Sequence, residues 1–336
     1  MSIGVISHLD SPTLDDVELL ARSAEEVGAD WLGLPDAYWW RDTWLLAAAA
    51  ARSTEHLVVG PVVTNPYLRH PFHTVAALAT LQGLAGNRVQ LGLGAGGSEA
   101  AAAGVDRTTA PERIEALATL VRQVAGGAAL DQASGRTLEV PLARPSILVA
   151  GRADAVLRAA GRVADRALLW SVPASDLGRS VDLVAQGAAV RAQDLGPLEV
   201  VWAPAVAHDA QTREHLLLSA PYAVLNSRPA LQAQWGLDPG AIERLRTLVV
   251  AGRTEEAADL VPDAARSDLV VADPDPGPLA ERVRALGLGG LAVPVADRNE
   301  VAARVAWARR VLAAAGPDDG ERHVEVARAG ADGASS

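Results

Sequence analysis

Eight short apolar segments, each followed by a stretch with helical spacing, constrain the fold more than any other feature of this sequence. Within residues 12–27, for example, apolar side chains at Leu14, Val17, Leu20 and Ala24 follow the spacing of one helix face. Strands that alternate with helices predict a parallel sheet with right-handed crossovers, and eight units favour a closed (β/α)8 TIM barrel. An open doubly wound sheet is the alternative, but no G-x-G-x-x-G fingerprint follows the first strand. The predicted strands are residues 3–7, 31–34, 57–64, 89–94, 147–150, 167–171, 198–207 and 290–295.

A long segment separates the last two predicted strands. Residues 210–286 have helical spacing and no clear strand, which predicts a mostly helical insertion near the catalytic mouth of the barrel. Residues 1–315 are therefore expected to form one barrel domain, and the part between Tyr222 and Trp235 is a candidate lid. The last residues, 316–336, are rich in Gly, Asp and Ser and predict a flexible tail.

Composition excludes several kinds of chemistry. The chain has no cysteine and no lysine, so disulfides, thiolate metal sites, Schiff-base chemistry and a P-loop lysine are ruled out. A net charge of −11 disfavours non-specific nucleic-acid binding, which needs a basic face. No apolar run is long enough to span a bilayer, and the first residues lack the features of a signal peptide. We therefore expect a cytoplasmic protein with no membrane partner.

Several strand ends carry residues suited to ligand binding. Gly151 and Arg152 fall between a strand and a helix start, and free N–H groups at such a start attract anions. The alternative is a plain turn with a surface arginine. Three adjacent aromatic residues follow the second strand, in a chain with only 12 aromatic residues, and predict a flat apolar substrate pocket. Core packing or a subunit contact would explain them equally well. They are Tyr38, Trp39 and Trp40.

One stretch carries a family resemblance. The string GPVVTNPYLRHP, residues 60–71, joins a buried strand to a polar exit and a helix start at Pro71. It resembles the third strand and loop of bacterial-luciferase-like flavin and deazaflavin oxidoreductases. The closest likeness is to the F420-dependent branch typified by methylenetetrahydromethanopterin reductase. The resemblance covers about residues 3–170 and returns weakly at 269–295.

The resemblance implies where a cofactor would bind. In this family the third strand carries a non-proline cis peptide against the cofactor ring, and the equivalent bond here is Val62–Val63. The following polar residues would then face the edge of the ring, and the turn after the fifth strand would hold the phosphate. The implied cofactor-binding residues are Val62, Val63, Thr64, Asn65, Gly94, Ala150, Gly151, Arg152 and Ala153.

The catalytic assignments are less direct. Relatives often carry Asp-His after the second strand, and here Asp36 matches the aspartate whereas Ala37 stands at the histidine position. His8, which follows the first strand and should face the same mouth, is the candidate replacement acid or base, although a surface loop histidine is the alternative. Glu99 follows the glycine-rich stretch after the fourth strand, where relatives place an acidic or polar residue; a helix-cap role is the alternative.

His70 and His73 have a spacing that suits a metal, but no third ligand is evident, and Arg69 lies beside them. We therefore expect these histidines to be structural and the protein to hold no metal.

Three functions remain open. The first is an F420-dependent oxidoreductase that transfers a hydride between the deazaflavin and a small, fairly apolar organic substrate. The second is an FMNH2-dependent luciferase-like monooxygenase, and the third is a non-catalytic flavin- or ligand-binding barrel, which the absence of a histidine at Ala37 motivates. A homodimer is expected from the resemblance alone.

Overall fold

Eight parallel strands form a barrel in the computed structural model, which describes residues 1–97, 100, 103–272 and 275–316. The eight barrel strands are β1 (Ser2–Ser7), β2 (Trp31–Leu34), β3 (Val58–Pro61), β4 (Gln90–Gly94), β5 (Ser146–Ala150), β6 (Arg166–Trp170), β7 (Glu199–Ala203) and β10 (Gly290–Val295), and two further strands, β8 (Ala205–Ala207) and β9 (Val270–Ala272), lie outside the barrel. Neighbours in the main sheet follow the order β3-β2-β1-β10-β7-β6-β5-β4. Bridges from Val59 to Val89 and from Thr64 to Leu93 join its two edges. The predicted TIM barrel is confirmed.

The helices follow the strands along the chain. They are α1 (Leu14–Glu26), α2 (Thr43–Arg52), α3 (Pro71–Ala85), α4 (Ala110–Ala125), α5 (Asp154–Val163), α6 (Leu177–Ala188), α7 (Ala210–Leu225), α8 (Pro229–Gln234), α9 (Pro239–Val250), α10 (Thr254–Asp259), α11 (Asp263–Leu269), α12 (Pro276–Ala285) and α13 (Val301–Ala315). A reciprocal capping box between Thr13 and Asp16 starts α1. Among the residues described, no helix combines the length and the apolarity needed to cross a membrane.

The segment between β7 and β10 differs from its prediction in two places. Residues 198–207 are not one strand, because Pro204 lacks an N–H for the ladder. The chain leaves the barrel there, and β8 pairs in parallel with β9 as a separate two-stranded sheet. The prediction that residues 210–286 contain no strand is therefore also wrong at β9. Helices α7 to α11 enclose a small core of their own, whereas α12 packs against α13 outside the barrel. The predicted tail lies, apart from Gly316, outside the described residues.

Large side chains fill the floor of the barrel, at the amino ends of the strands. Trp31 is fully buried there, and the guanidinium of Arg166 lies over its ring at 5.3 Å. Arg166 also donates from Nε to Glu199 at 2.7 Å. A Cβ atom on Gly4 would lie 2.0 Å from the Trp31 ring, so only glycine leaves room for the indole. Because the floor is filled, the cavity formed by the described residues opens towards the carboxyl ends of the strands.

One carboxylate ties α1 to the entry of β3. Glu25 accepts hydrogen bonds from the backbone N–H groups of Glu55, His56 and Leu57, at 3.0, 2.6 and 2.8 Å. Partial burial opposes ionisation of this group, but the three N–H donors outweigh burial and hold the pKa of Glu25 below its usual range. The ionised form of Glu25 is therefore part of the folded structure.

Candidate active site

A cavity of about 1340 Å³ opens at the carboxyl end of the barrel. Active sites of TIM barrels lie at this face. The volume exceeds the roughly 300 to 1000 Å³ that is typical of small-molecule sites, so a cofactor and a substrate fit together. Its wall includes residues at or just after the ends of six consecutive barrel strands, from β1 to β6. These residues are Ser7, Leu34, Val62, Gly94, Ala150 and Trp170.

The wall at β3 is a bulge. The Val62–Val63 peptide is cis, as the family resemblance implied, and both valines line the cavity. Glycines on the two neighbouring strands make room for it. A Cβ atom on Gly33 would lie 2.5 Å from Cβ of Val62, and one on Gly94 would lie 2.7 Å from Cγ2 of Val63. The bulge therefore depends on small residues on β2 and β4 as well as on its own sequence.

The polar residues after the bulge do not line the cavity among the residues described. Thr64 and Asn65 are both buried, and the backbone of Thr64 bonds to β4 through Gly92 at 2.9 Å. Asn65 Oδ1 accepts from the N–H groups of Tyr67 and Leu68, at 3.1 and 3.0 Å. This side chain therefore folds back on its own loop, as asparagine often does in turns. The structure gives no support to the expectation that the two residues face a cofactor ring.

Arg152 is the most unusual charge in the cavity wall. Its Nε donates to the carbonyl oxygen of Trp170 at 3.1 Å, whereas Nη1 is buried without a partner. No carboxylate pairs with Arg152 within the described ranges. Burial lowers the pKa of Arg152 to about 10. Buried charges are normally paired, so this guanidinium is suited to an anion that enters the cavity.

The start of α5 lies beside Arg152. No side chain caps this helix, and Ala153, Ala155 and Val156 of its first turn line the cavity. Unpaired N–H groups and the helix dipole give such an end a partial positive charge. A Cβ atom on Gly151 would lie 2.4 Å from Val156, so glycine allows the strand to turn tightly into the helix. The buried arginine and the helix start together form what we call the anion end of the cavity.

His8 follows β1 and lines the cavity, as its position predicted. Its ring contacts Trp170 edge to face, with centroids 5.3 Å apart. Desolvation of the ring by the surrounding protein lowers the pKa of His8 to about 4, and repulsion by His215 and Arg304 acts in the same direction. Solvent in the open cavity still reaches the residue. At neutral pH the imidazole is uncharged, so imidazolium is not its resting form.

The loop after β2 brings aromatic side chains to the cavity. Asp36, Trp39 and Trp40 line it, whereas Tyr38 is 59% exposed and outside the wall. Trp39 contacts both of its aromatic neighbours edge to face, with centroids 4.8 and 6.4 Å away. Ala37 is buried and does not line the cavity. Two of the three predicted pocket residues therefore reach the cavity, and they lie at its solvent-exposed rim.

The remaining predicted residues divide into three groups. Gly94, Ala150 and Gly151 line the cavity together with the residues above. Glu99 lies outside the described residues. His70 caps α3 by accepting from the Phe72 N–H at 3.2 Å, and the described residues contain no cluster of three or more candidate ligands for a metal.

Trp170, Arg107 and Asn226 are among the wall residues that sequence reasoning missed. Trp170 ends β6 and contacts His8, and an aromatic residue at a strand end was the signal that could have found it. Arg107 donates from Nη1 to the carbonyl of Gly96 at 2.9 Å. Asn226 comes from the insertion, within the segment predicted as a candidate lid, but no pattern singled out this residue.

A filled barrel floor, a bulged third strand and an anion end at the fifth strand characterise this TIM barrel. Residues 2–293 match the family model described as luciferase-like monooxygenase. The chain therefore belongs to the luciferase-like monooxygenase family.

The individual proteins that this chain resembles are only 18 to 23% identical to it in the comparisons below. A 5,10-methylenetetrahydromethanopterin reductase of Archaeoglobus fulgidus is 23% identical over 241 residues, which cover 69% of this chain and 73% of that protein. The structure of a coenzyme F420-dependent tetrahydromethanopterin reductase from Methanopyrus kandleri superposes with a TM-score of 0.74 at 20% identity, covering 90% of this chain and 96% of the other. A riboflavin lyase structure with modified FMN and riboflavin has a TM-score of 0.63 at 18% identity, covering 93% and 91%. At these identities the superpositions show a shared fold.

Proposed function

We propose that this protein is an F420-dependent oxidoreductase, which transfers a hydride between the deazaflavin and a small, fairly apolar organic substrate. Membership of the luciferase-like family supports an oxidoreductase, and the similarity to a methylenetetrahydromethanopterin reductase supports the deazaflavin. The substrate would occupy the part of the cavity that Trp39, Trp40 and His8 line.

The single observation that carries the proposal is the unpaired guanidinium of Arg152. A cofactor with a phosphate group would supply the missing partner of Nη1, and the uncapped start of α5 would add N–H donors to the same group. The space beyond this end suits a flat ring, because Val62 and Val63 project into it above Gly33 and Gly94. The described residues therefore fit a flavin or deazaflavin with a phosphate.

The protein would bind, orient and shield rather than perform the redox chemistry itself. A bound deazaflavin supplies a carbon that gives or takes hydride. Arg152 would fix the phosphate, the valines of the bulge would support one face of the ring, and Trp39 and Trp40 would contact the substrate at the rim. His8 is uncharged and placed to hydrogen-bond a substrate through its ring N–H.

An FMNH2-dependent monooxygenase is the second candidate. The family description supports it, and the anion end would hold the phosphate of FMN as well as that of F420. A non-catalytic ligand-binding barrel is the third candidate, since Ala37 is buried and offers no proton at the position of the family histidine. A homodimer remains a prediction, which light scattering of the purified protein would test.

Titration of the purified protein with F420, FMN and riboflavin separates these candidates. The proposal expects F420 to bind more tightly than FMN, and FMN more tightly than riboflavin, which lacks the phosphate. Hydride transfer is then measured as oxidation of reduced F420 with a panel of apolar acceptors under exclusion of oxygen. Preference for FMN together with oxygen-dependent turnover would favour the monooxygenase. Tight binding without turnover of either reduced cofactor would favour the binding barrel, and failure to bind either cofactor would end the proposal.

A further inference from the structure

The insertion between β7 and β10 contributes a side chain to the cavity. Of the insertion residues described, 205–272, the one that lines the cavity is Asn226, directly after α7. Its Nδ2 donates to the carbonyl of Tyr222 at 2.8 Å. This bond fixes the orientation of the amide and leaves Oδ1 without a hydrogen-bond partner in the part of the chain that the structure describes. The amide is therefore oriented and still able to accept one hydrogen bond.

Two polar contacts, Arg228 to Asp176 and Ser175 to Asp268, hold this part of the insertion on the barrel, and we call them the lock. Asp176, which is buried in the loop between β6 and α6, accepts from Arg228 Nε at 2.9 Å. One residue earlier, the N–H of Ser175 donates to Asp268 of α11 at 2.9 Å. Asp268 also accepts from Trp235 Nε1 at 3.0 Å, which connects the lock to the core of the insertion. The segment that follows Asn226 is thus fixed to the barrel at Arg228, and Trp235 connects it to the second contact.

The lock lies beside the anion end of the cavity. Asp154, the first residue of α5, is hydrogen-bonded by Arg179 at 2.9 Å, and this bond is the main reason that the pKa of Asp154 is lowered. The positive charges of Arg158 and Arg228 lower it further. Arg179 lies three residues after Asp176, so the start of α6 holds both Arg228 and the first residue of α5 through hydrogen bonds. Asn226 lines the cavity two residues before Arg228.

We propose that Asn226 is a ligand-contacting residue at the anion end, where its free Oδ1 accepts a hydrogen bond from a hydroxyl group on the phosphate-bearing chain of the cofactor. In this arrangement Asp176 and Arg228 are positioning residues, because they act on the ligand only through Asn226. The inference rests on the proposed cofactor site and extends it: the insertion helps to form the binding site rather than only covering it.

Substitutions of Asn226, one of which adds a negative charge, test whether this residue lies near the phosphate. Asn226→Ala removes one hydrogen bond and should weaken FMN binding about two- to tenfold. Asn226→Asp keeps the size and the acceptor, loses the bond to the Tyr222 carbonyl and adds a negative charge near the phosphate, so FMN binding should weaken at least tenfold more than in the alanine variant. Riboflavin has no phosphate, and its affinity should fall no further in the aspartate variant than in the alanine variant.

Asn299→Asp is the matched control. It adds the same charge at an exposed position that does not line the cavity, so it should leave the affinity for FMN unchanged. Dissociation constants are measured by calorimetry at one ionic strength, alongside thermal unfolding of each variant. Equal FMN affinity of the Asn226→Asp and Asn299→Asp variants would overturn this inference while leaving the proposed function intact. A wild-type protein that binds neither FMN nor F420 would remove both.

A double-mutant cycle tests whether Arg228 acts on the ligand through Asn226. Arg228→Met should weaken FMN binding to the same degree as Asn226→Ala, and the double variant should be no weaker than either single variant. Arg228→Lys, which keeps the charge next to Asp176, should recover part of the affinity. Additive losses in the double variant would show that Arg228 does not act through Asn226.

Discussion

Replacing Arg152 with methionine tests whether its guanidinium is buried in order to bind an anion. Burial lowers its pKa to about 10, more than two pH units below the ordinary value. At about 1.4 kcal/mol per pH unit, the charge costs the free protein up to about 3 kcal/mol; water in the cavity makes this an upper value. The variant loses one hydrogen bond, to Trp170, worth about 1 kcal/mol. Methionine should therefore leave the free protein as stable as wild type, or more stable by up to about 2 kcal/mol.

The same substitution should weaken binding of any phosphate-bearing ligand. A hydrogen bond between charged groups contributes about 1.5 to 3 kcal/mol. At about 1.4 kcal/mol for each factor of ten, loss of the Arg152 contact should weaken FMN binding roughly 10- to 150-fold. Riboflavin has the same ring and no phosphate, so its affinity should stay within about twofold. The preference for FMN over riboflavin should therefore disappear in this variant.

Calorimetric titration and thermal unfolding measure the two effects in the same preparation. Arg158→Met is the matched control, because it removes the same charge from α5 at a side chain that bonds Gln186 on the surface. The control should bind FMN like wild type. The reasoning is refuted if Arg152→Met destabilises the free protein by several kcal/mol and binds FMN normally, since Arg152 would then be a structural residue. Equal losses for FMN and riboflavin would also refute it.

Three other predictions concern the walls and the support of the site. Gly33→Ala would place a Cβ atom 2.5 Å from Val62, so we expect a loss of about 1 to 3 kcal/mol in urea unfolding; Gly83→Ala, which meets no atom within 4 Å, is the control. Glu25→Gln should cost about 1 to 3 kcal/mol at pH 7. Because the folded pKa of Glu25 is lowered, that difference should shrink as the pH falls through it. The turnover rate should show no pH-dependent step from His8 between pH 5 and 8, because the pKa of His8 is about 4. A midpoint near pH 6.5 in an NMR titration of the His8 imidazole would contradict this.

Much of the site could be predicted because barrel geometry places strand ends at one face. His8, Gly94 and Arg152 follow different strands far apart in the chain, and the cavity brings them together. The cis peptide at Val62–Val63 came from the resemblance alone, since no local pattern indicates a cis bond. The residues that make room for this bond could nevertheless be predicted in part. Small residues at Gly33 and Gly94 face the bulge from both neighbouring strands, but their relevance needs the strand register.

The positions of several other residues depend on contacts that the sequence does not reveal. Thr64 and Asn65 were expected to face a cofactor; the backbone of Thr64 pairs with β4, Oδ1 of Asn65 accepts within its own turn, and neither residue is part of the described cavity wall. The strand after Pro204 was merged with β7, because a three-residue strand has no periodicity to separate it. Asn226 reaches the cavity only because the insertion docks through Asp176, a tertiary contact between residues far apart in the chain.

The burial of Ala37 and the neutral state of His8 together restrict the chemistry of the site. The carbonyl of Ala37 accepts from the Trp40 N–H at 2.9 Å, so the loop after β2 turns back and places tryptophans at the cavity rim. Position 37 is packed in the interior, and no proton donor replaces it there. His8 has the right position for that role, but its lowered pKa makes the imidazolium scarce at neutral pH. At neutral pH, therefore, neither position 37 nor His8 supplies a charged imidazolium to the described part of the cavity.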